Sequence, residues 1–314
     1  MNAGAAKDEP PPTAAGPYRT AFGGFWTDRT DAADLLQQKL DRGVLDAAEA
    51  ELLQFWMERG YAVLPGAVPP ELADRLLEEV EAAWRGDPGL LRLEYFDLER
   101  DEIRVVPPSP ELRDGEYKLL NLHAASAVAR DVIFAPAIRR FHELVFERPS
   151  LAFSTLYFER GTRQPLHQDT AYVGVGSPME LCASWIALED IDGPCGQLEY
   201  FEGSHRLEPL VFDNGKRLMP QELVGNEEYY YHLGAKCTAA GLERVQFAPR
   251  KGDALIWHAD LVHGGSQEVA PGTTRKSLVT HYCPADVDPD YFGYWEHSAK
   301  LEHRPRCMYC YYER

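Results

Sequence analysis

The triplet His167-Gln168-Asp169, followed 96 positions later by His263 and 12 positions after that by Arg275, constrains this 314-residue chain more than any other feature. Two imidazoles and one carboxylate can occupy one face of an octahedral ferrous ion, leaving three positions open for a cosubstrate and dioxygen. The arginine can then anchor a dicarboxylic acid. The long interval between the two histidines leaves room for the intervening strands of a barrel.

Pro165 resets the chain, and an extended stretch from Leu166 onward puts His167 and Asp169 on one side with Gln168 opposed. Gly252 to Ser266 reads as a turn, a β-prone run and a glycine pair, Gly264 and Gly265, with His263 where the run ends. Ser277 to Tyr282 reads as the next strand, and Arg275 stands at its mouth. A second triplet of the same type, His258-Ala259-Asp260, competes with the first. A chain with ten histidines and abundant aspartate produces one such triplet by chance about once, so a triplet alone decides little. For the second triplet the downstream ligand would have to be His281, His297 or His303. His281 is too close to admit the intervening strands, and neither of the others is followed by an anchoring arginine in a strand. His258 lies five residues before His263. In a straight strand that odd offset turns it away from the metal, to be buried and hydrogen-bonded.

These residues resemble the phytanoyl-CoA dioxygenase family. The resemblance runs from about Gly60 to Pro284 and rests on several motifs in order. They are Tyr61-Ala62-Val63-Leu64-Pro65-Gly66 before a helix, the His-Gln-Asp core, Ser184 to Ile191, Gly203-Ser204-His205, the distal His263, and the pair Arg275-Lys276. It implies a mainly β fold with flanking helices, the double-stranded β-helix (jelly roll, cupin-like), and an enzyme dependent on iron(II), 2-oxoglutarate and dioxygen (O2). His167, Asp169 and His263 are then the iron ligands, Arg275 binds the distal carboxylate of 2-oxoglutarate, and Trp185 lines the cosubstrate pocket. Thr155, Lys118 and Gln168 are further expected cosubstrate contacts. The family usually has one glycine between the distal histidine and a serine that touches the cosubstrate. Here there are two, so either Ser266 or a backbone amide makes that contact. Related halogenases replace the carboxylate with a small residue to admit chloride. The intact Asp169 therefore argues for hydroxylation or oxidative cyclisation.

Composition bounds the remaining possibilities. The formal charge of -18, from 50 acidic and 32 basic residues, leaves no basic stripe and disfavours nucleic acid and anionic membrane. It also disfavours strongly anionic substrates such as an acyl-CoA. No apolar run approaches membrane-spanning length. Residues 1–17, rich in Ala, Pro and Gly without an apolar signal core, read as a disordered tail, and 18–314 as a single oxygenase domain, cytoplasmic in location. Six cysteines fit free thiols in a reducing compartment.

Helical spacing is expected over Asp31 to Arg42 and Asp46 to Gly60, in a helix opened by Pro69-Pro70-Glu71 and running to about Trp84, and over Asp131 to Phe146. From Leu151 to Tyr282 short β-prone runs alternate with turns. The long interruption at 207–249 reads as a lid-like insertion. Tyr229, Tyr230 and Tyr231 in it, and Phe22, Phe25 and Trp26 before the first helix, either close over the site and stack on a sugar or aromatic ring or pack the insertion onto the barrel.

His297, His303, Cys307 and Cys310 form a separate series near the spacing of structural zinc ligands. A lone C-x-x-C is weak support, and Arg304 and Arg306 add charge beside a cation. Two functions follow. One is an oxygenase acting on a small, glycosylated secondary metabolite, similar to tailoring enzymes of orthosomycin-type antibiotics. The alternative is a non-catalytic jelly-roll metal-binding or interaction module, which would have no need of a cosubstrate anchor. The oligomeric state is left open by the sequence.

Overall fold

The computed structural model describes residues 17–312 apart from 88, 90, 98, 177, 221, 222, 224, 226 and 291–297. Three helices lead the chain: α1 (Ala32–Asp41), α2 (Ala47–Arg59) and α3 (Pro70–Trp84). Asp46 caps α2 by accepting from the Glu49 amide at 2.8 Å, while the Glu49 carboxylate accepts from the Asp46 amide at 3.1 Å. Gly60 ends it in a left-handed conformation (φ 79°) that favours glycine. Pro70 opens α3, where a missing N–H costs nothing.

After α4 (Leu122–Ala125), the single helix expected over Asp131 to Phe146 is two, α5 (Ala127–Ile133) and α6 (Pro136–Phe146). Pro136 drives Ala135 out of the helical region (ψ 148°), which breaks the run. The last helix, α7 (Glu227–Ala239), belongs to the insertion.

The strands are β1 (Tyr61–Leu64), β2 (Arg92–Asp97), β3 (Glu102–Val106), β4 (Tyr117–Leu120) and β5 (Ser150–Phe158). They continue as β6 (Gly174–Val175), β7 (Cys182–Ala187), β8 (Leu198–Phe201), β9 (Arg244–Gln246) and β10 (Ala254–His258). The last five are β11 (His263–Gly265), β12 (Ser277–Pro284), β13 (Pro289–Asp290), β14 (Ser298–Arg304) and β15 (Cys307–Tyr312).

Among the described residues the main sheet runs β1-β10-β7-β12-β5-β4-β2-β3, with β15 parallel to the start of β5 and β14 beside it. A minor sheet runs β11-β8-β9, and β13 pairs with β6. This is the jelly roll, flanked by helices, that the sequence implied. Strand alternation divides the main sheet into two faces. Tyr157, Cys182, Ile186, Ala254, Ile256, Leu278 and Tyr282 pack under the helices with Trp56, Leu76, Phe134 and Phe141. Tyr61, Phe158, Trp185, Leu255, Trp257 and Val279 point the other way and pack with Leu198 and Tyr200 of the minor sheet. The functional residues lie on that second face.

The tail expectation for residues 1–17 falls almost wholly outside the described residues. Pro17 alone is described, and its carbonyl accepts from the Thr30 amide at 2.7 Å. No described helix is long and apolar enough to cross a membrane.

Candidate active site

The single β-prone run expected within Gly252 to Ser266, ending at His263, is two strands, because the chain turns at Ala259 to Val262. β10 stays in the main sheet and β11 joins the minor one. Ser204 Oγ accepts from the Val262 amide at 2.7 Å, and Gly203 (φ 77°) donates its amide to Arg59 at 2.8 Å. Gly203 and Ser204 thus hold the chain just before His263. His167 and His263 exchange both backbone hydrogen bonds, at 2.8 and 3.0 Å. Gly264 and Gly265 make that approach possible. A Cβ on Gly264 would sit 2.8 Å from the Gln164 carbonyl oxygen, and one on Gly265 3.1 Å from the Gln164 nitrogen.

His167 and Asp169 do converge, but not along one extended strand. His167 forms an isolated bridge, and Asp169 opens a single 3₁₀ turn (Asp169–Ala171) whose first amide donates to the Ala259 carbonyl at 2.9 Å. One ligand atom from each of His167, Asp169 and His263 falls within 4.8 Å of the other two, the sole such cluster among the described residues. Asp169 Oδ1 lies 3.8 Å from His167 Nε2 and 3.5 Å from His263 Nε2. The Nδ1 atoms approach the carbonyls of Pro165 and Leu261 at 2.8 and 2.9 Å, so protons there leave the lone pairs on Nε2, that of His167 facing the Gln164 side-chain amide at 3.2 Å.

Burial, then the facing His263, pushes His167 down to about 3, which keeps it a neutral ligand. Burial also pushes the Asp169 carboxyl up, but His263 and His281 outweigh it and hold the group well below the usual carboxylate range. Two imidazoles and an ionised carboxylate match the donor set of a non-haem iron(II) centre.

Sequence reasoning missed two neighbours of this cluster. Trp257 Nε1 donates to Asp169 Oδ2 at 2.7 Å, and His281 Nε2 lies 3.5 Å from the same oxygen. Both stand on cavity-facing positions of β10 and β12, and strand alternation from Leu255 and Val279 would have found them. His258 behaves as expected. Alternation along β10 turns it opposite Trp257, toward Asp28 at 3.2 Å, although the strand does not run on to His263.

A cavity of about 500 Å³ contains the three ligands together with Arg275, Trp185 and Lys118. Arg275 is 4 % exposed, and its Nη1 donates to the Gly196 carbonyl at 2.7 Å. Its guanidinium carbon lies 5.6 and 5.8 Å from the Trp185 and Phe158 rings. Burial lowers it to about 10, so it stays cationic at neutral pH. No carboxylate among the described residues lies within ion-pair distance of it. A buried, uncompensated cation is costly unless a ligand supplies the charge. The chemistry of the cluster and of this arginine therefore fits iron(II) with 2-oxoglutarate.

Lys118 stands in the cavity wall, paired with Glu94 at 2.7 Å. Three expected cosubstrate contacts are corrected by the structure. Thr155 precedes the cavity-lining Leu156 by one position, so alternation turns it to the helix side, where Oγ1 meets His123 Nδ1 at 2.9 Å. The second glycine displaces Ser266 by one residue, which flips its face, and its amide and hydroxyl are engaged with Gln197, Gln246 and Glu268. Gln168 opposes its two neighbours, as alternation requires, and Nε2 donates to the Asp260 carbonyl at 2.6 Å rather than into the cavity.

Among the described residues, the insertion at 207–249 supplies none of those that line the cavity. Met219, Tyr229, Leu233 and Cys237 pack against Ala171, Phe201 and Val262, behind the metal ligands. Tyr230 reaches the cavity only through its hydroxyl contact with Tyr172, at 2.9 Å. Tyr231 is 80 % exposed, while Phe25 and Trp26 are core residues. Arg217, also from the insertion, is buried with Asp260 and donates to Thr170 Oγ1 at 3.0 Å.

His297 lies outside the described residues. His303 pairs with Asp131 at 2.9 Å, and Cys307 and Cys310 belong to different core clusters, so these three do not converge on one ion.

The sequence profile of the phytanoyl-CoA dioxygenase family matches residues 56–277. Peroxisomal phytanoyl-CoA dioxygenase of Rattus norvegicus is 24 % identical over 261 residues, covering 80 % of this chain and 72 % of that one. The Homo sapiens enzyme is 23 % identical over the same length. Among solved structures, the epimerase SnoN in complex with Fe3+, alpha ketoglutarate and nogalamycin RO aligns with a TM-score of 0.55 at 18 % identity. It covers 77 % of this chain and 85 % of its own. The alpha ketoglutarate dependent carbocyclase SnoK from nogalamycin biosynthesis follows at 0.53 and 17 %, with the same coverage of each chain. These structures share the fold.

Proposed function

The chain belongs to the phytanoyl-CoA dioxygenase family and is an iron(II)- and 2-oxoglutarate-dependent oxygenase, and we propose that it hydroxylates or oxidatively cyclises a small, glycosylated secondary metabolite. The observation that carries the site assignment is the presence of His167, Asp169 and His263 in one cavity with the uncompensated Arg275. His167, Asp169 and His263 hold the iron, and Arg275 receives the distal carboxylate of 2-oxoglutarate through a bidentate pair. Lys118 stands in the same wall as a further candidate contact.

Bound iron supplies oxidation of a substrate C–H bond by dioxygen, with 2-oxoglutarate as co-reductant. In hydroxylation one oxygen atom enters the substrate and the other enters succinate, with release of carbon dioxide. In ring closure the substrate loses two hydrogens and the first oxygen leaves as water. The intact Asp169 keeps a carboxylate where a halogenase would need space for chloride.

The glycoside assignment is supported by the cavity wall and by the surface charge. Thr162, Gln164, Tyr172 and Glu94 offer hydrogen-bonding groups to hydroxyls beside the metal ligands. An acyl-CoA would want a cationic groove. The one lysine in the wall already faces Glu94, and the chain carries a formal charge of -18. The nogalamycin RO bound to SnoN is a precedent for a small antibiotic metabolite on this fold. Six buried free thiols support a reducing, cytoplasmic setting.

The test is incubation with iron(II), ascorbate, air, 2-oxoglutarate and a panel of glycosylated metabolites and acyl-CoA thioesters, followed by mass spectrometry. A glycoside product heavier by one oxygen or lighter by two hydrogens, with equimolar succinate, is expected. Turnover of acyl-CoA thioesters with every glycoside untouched would contradict the substrate assignment.

A further inference from the structure

The outer wall of the cavity comes from the β2–β3 hairpin, through Glu94 and Ile103. Cross-strand register fixes which side chains share their face. Phe96 pairs with Ile103, Glu94 with Val105, and Glu94 on its other side with Lys118. Leu120 of β4 then pairs with Leu156 of β5, which lines the cavity. Directly paired residues point to the same side, as do residues two apart. One continuous face therefore runs from Leu156 inside the cavity, past the Glu94–Lys118 pair, to Ile103 at its outer wall and to Phe96 and Val105 beyond it.

The other face of the hairpin holds Leu93, fully buried against the helices together with Leu119 of β4. A hairpin with one buried face ordinarily turns polar residues to solvent. Here Phe96, Ile103 and Val105 are 50, 66 and 52 % exposed, three of the eight large exposed hydrophobics among the described residues. Single exposed hydrophobics are ordinary, but three adjacent ones on the rim of a catalytic cavity mark a binding surface.

The continuity of this face with the cavity wall points to the substrate as its occupant. About 500 Å³ has to hold 2-oxoglutarate as well as the reacting part of the substrate, and small-ligand sites range over roughly 300–1,000 Å³. A glycosylated metabolite larger than the space left beside 2-oxoglutarate extends onto the rim.

We propose that the Phe96, Ile103 and Val105 face binds an apolar portion of the substrate, a ring system or hydrocarbon chain. The hydroxyl-bearing portion passes the Glu94–Lys118 pair to reach the metal. The inference rests on the glycoside reading given above and narrows it to amphipathic glycosides. A membrane contact by the same hairpin is disfavoured by the formal charge of -18, which repels anionic lipid.

The experiment uses the full-length protein with iron(II) and 2-oxoglutarate under anaerobic conditions. Calorimetric titration is done with two probes, octyl and methyl β-D-glucopyranoside, each below any micelle concentration. The octyl probe is expected to bind about tenfold or more tightly than the methyl one, since its chain would bury apolar area on the hairpin. In Phe96→Ser/Val105→Ser the two affinities should converge, while Phe96→Leu, which keeps the surface apolar, should retain the preference. Urea unfolding of the double variant checks that it folds.

Equal affinity of both probes for the wild-type protein would overturn the inference. So would an octyl preference that survives the double substitution, including the case in which the variant loses only its sedimentation with phosphatidylcholine vesicles. Succinate release by the wild-type protein without any glycoside reads the oxygenase assignment separately, so failure of one reading is not mistaken for failure of the other.

Discussion

Trp257 donates its indole N–H to Asp169 Oδ2 at 2.7 Å and so turns the other carboxylate oxygen toward His167 and His263. The free oxygen, Oδ1, is the one 3.5 Å from His263 Nε2. A partner of this kind fixes a ligand's orientation, and its loss commonly costs about 10- to 100-fold in metal affinity. Trp257→Phe keeps the ring and removes the donor. Iron(II) or cobalt(II) titration should show a loss of that size with the fold retained, and unchanged affinity would show that Asp169 is oriented without Trp257.

Arg275→Leu removes the cation that faces the cosubstrate space. Breaking one side of a desolvated bidentate pair costs roughly 2–5 kcal/mol, or about 30- to 4,000-fold in cosubstrate affinity. The 2-oxoglutarate requirement should rise by such a factor while metal affinity is kept. An unchanged requirement would transfer the anchoring role to Lys118 or Lys276.

Arg217 and Asp260 tie the insertion to the turn before His263 and, through Thr170, to the turn that carries Asp169. Arg217→Met leaves the Asp260 carboxylate without its cation, an effect of about 3 kcal/mol for a largely buried pair. Urea unfolding should show that loss. Arg217→Met/Asp260→Asn should recover part of it, and strict additivity of the two single changes would deny the coupling.

His123 and His142 are 0 and 1 % exposed, and burial pushes each down to about 3. In the unfolded chain a histidine takes up a proton below about pH 6.5. Below that pH the unfolded state binds more protons than the folded one, so stability falls as pH drops from about 6.5 toward 3. Each imidazole contributes about 1.4 kcal/mol per pH unit across that window. His142→Phe, set among the rings of Phe146 and Tyr282, should flatten the acid slope of urea stability by about one proton. A slope identical to wild type would mean that His142 is protonated in the folded protein.

Legibility of the sequence followed the range of the interaction. Local signals worked at α2, where Asp46 and Gly60 mark both ends, and at His167 and Asp169, whose spacing brings them together. They failed where tertiary packing decides. The turn at Ala259 to Val262 moves His263 into a second sheet, and the extra glycine after it turns Ser266 out of the cavity. Of the two readings open for the aromatic insertion, its described residues follow the packing one, and the hairpin from Arg92 to Val106 supplies Glu94 and Ile103 to the cavity wall. Alternation on either side of Glu99, Arg100 and Asp101 was the available signal for that hairpin. Trp257 and His281 carry no motif of their own and are recognised only once β10 and β12 are known to share the cavity face.

The central claim is that His167, Asp169 and His263 hold iron(II) in one cavity with 2-oxoglutarate. Its most direct test is the stoichiometry of oxygen uptake and succinate release as iron(II) is titrated into the wild-type, His167→Ala and His263→Ala proteins. One succinate per dioxygen, saturating with iron in the wild type and abolished in both variants, is the predicted result. Succinate release at the wild-type rate in both variants would contradict it.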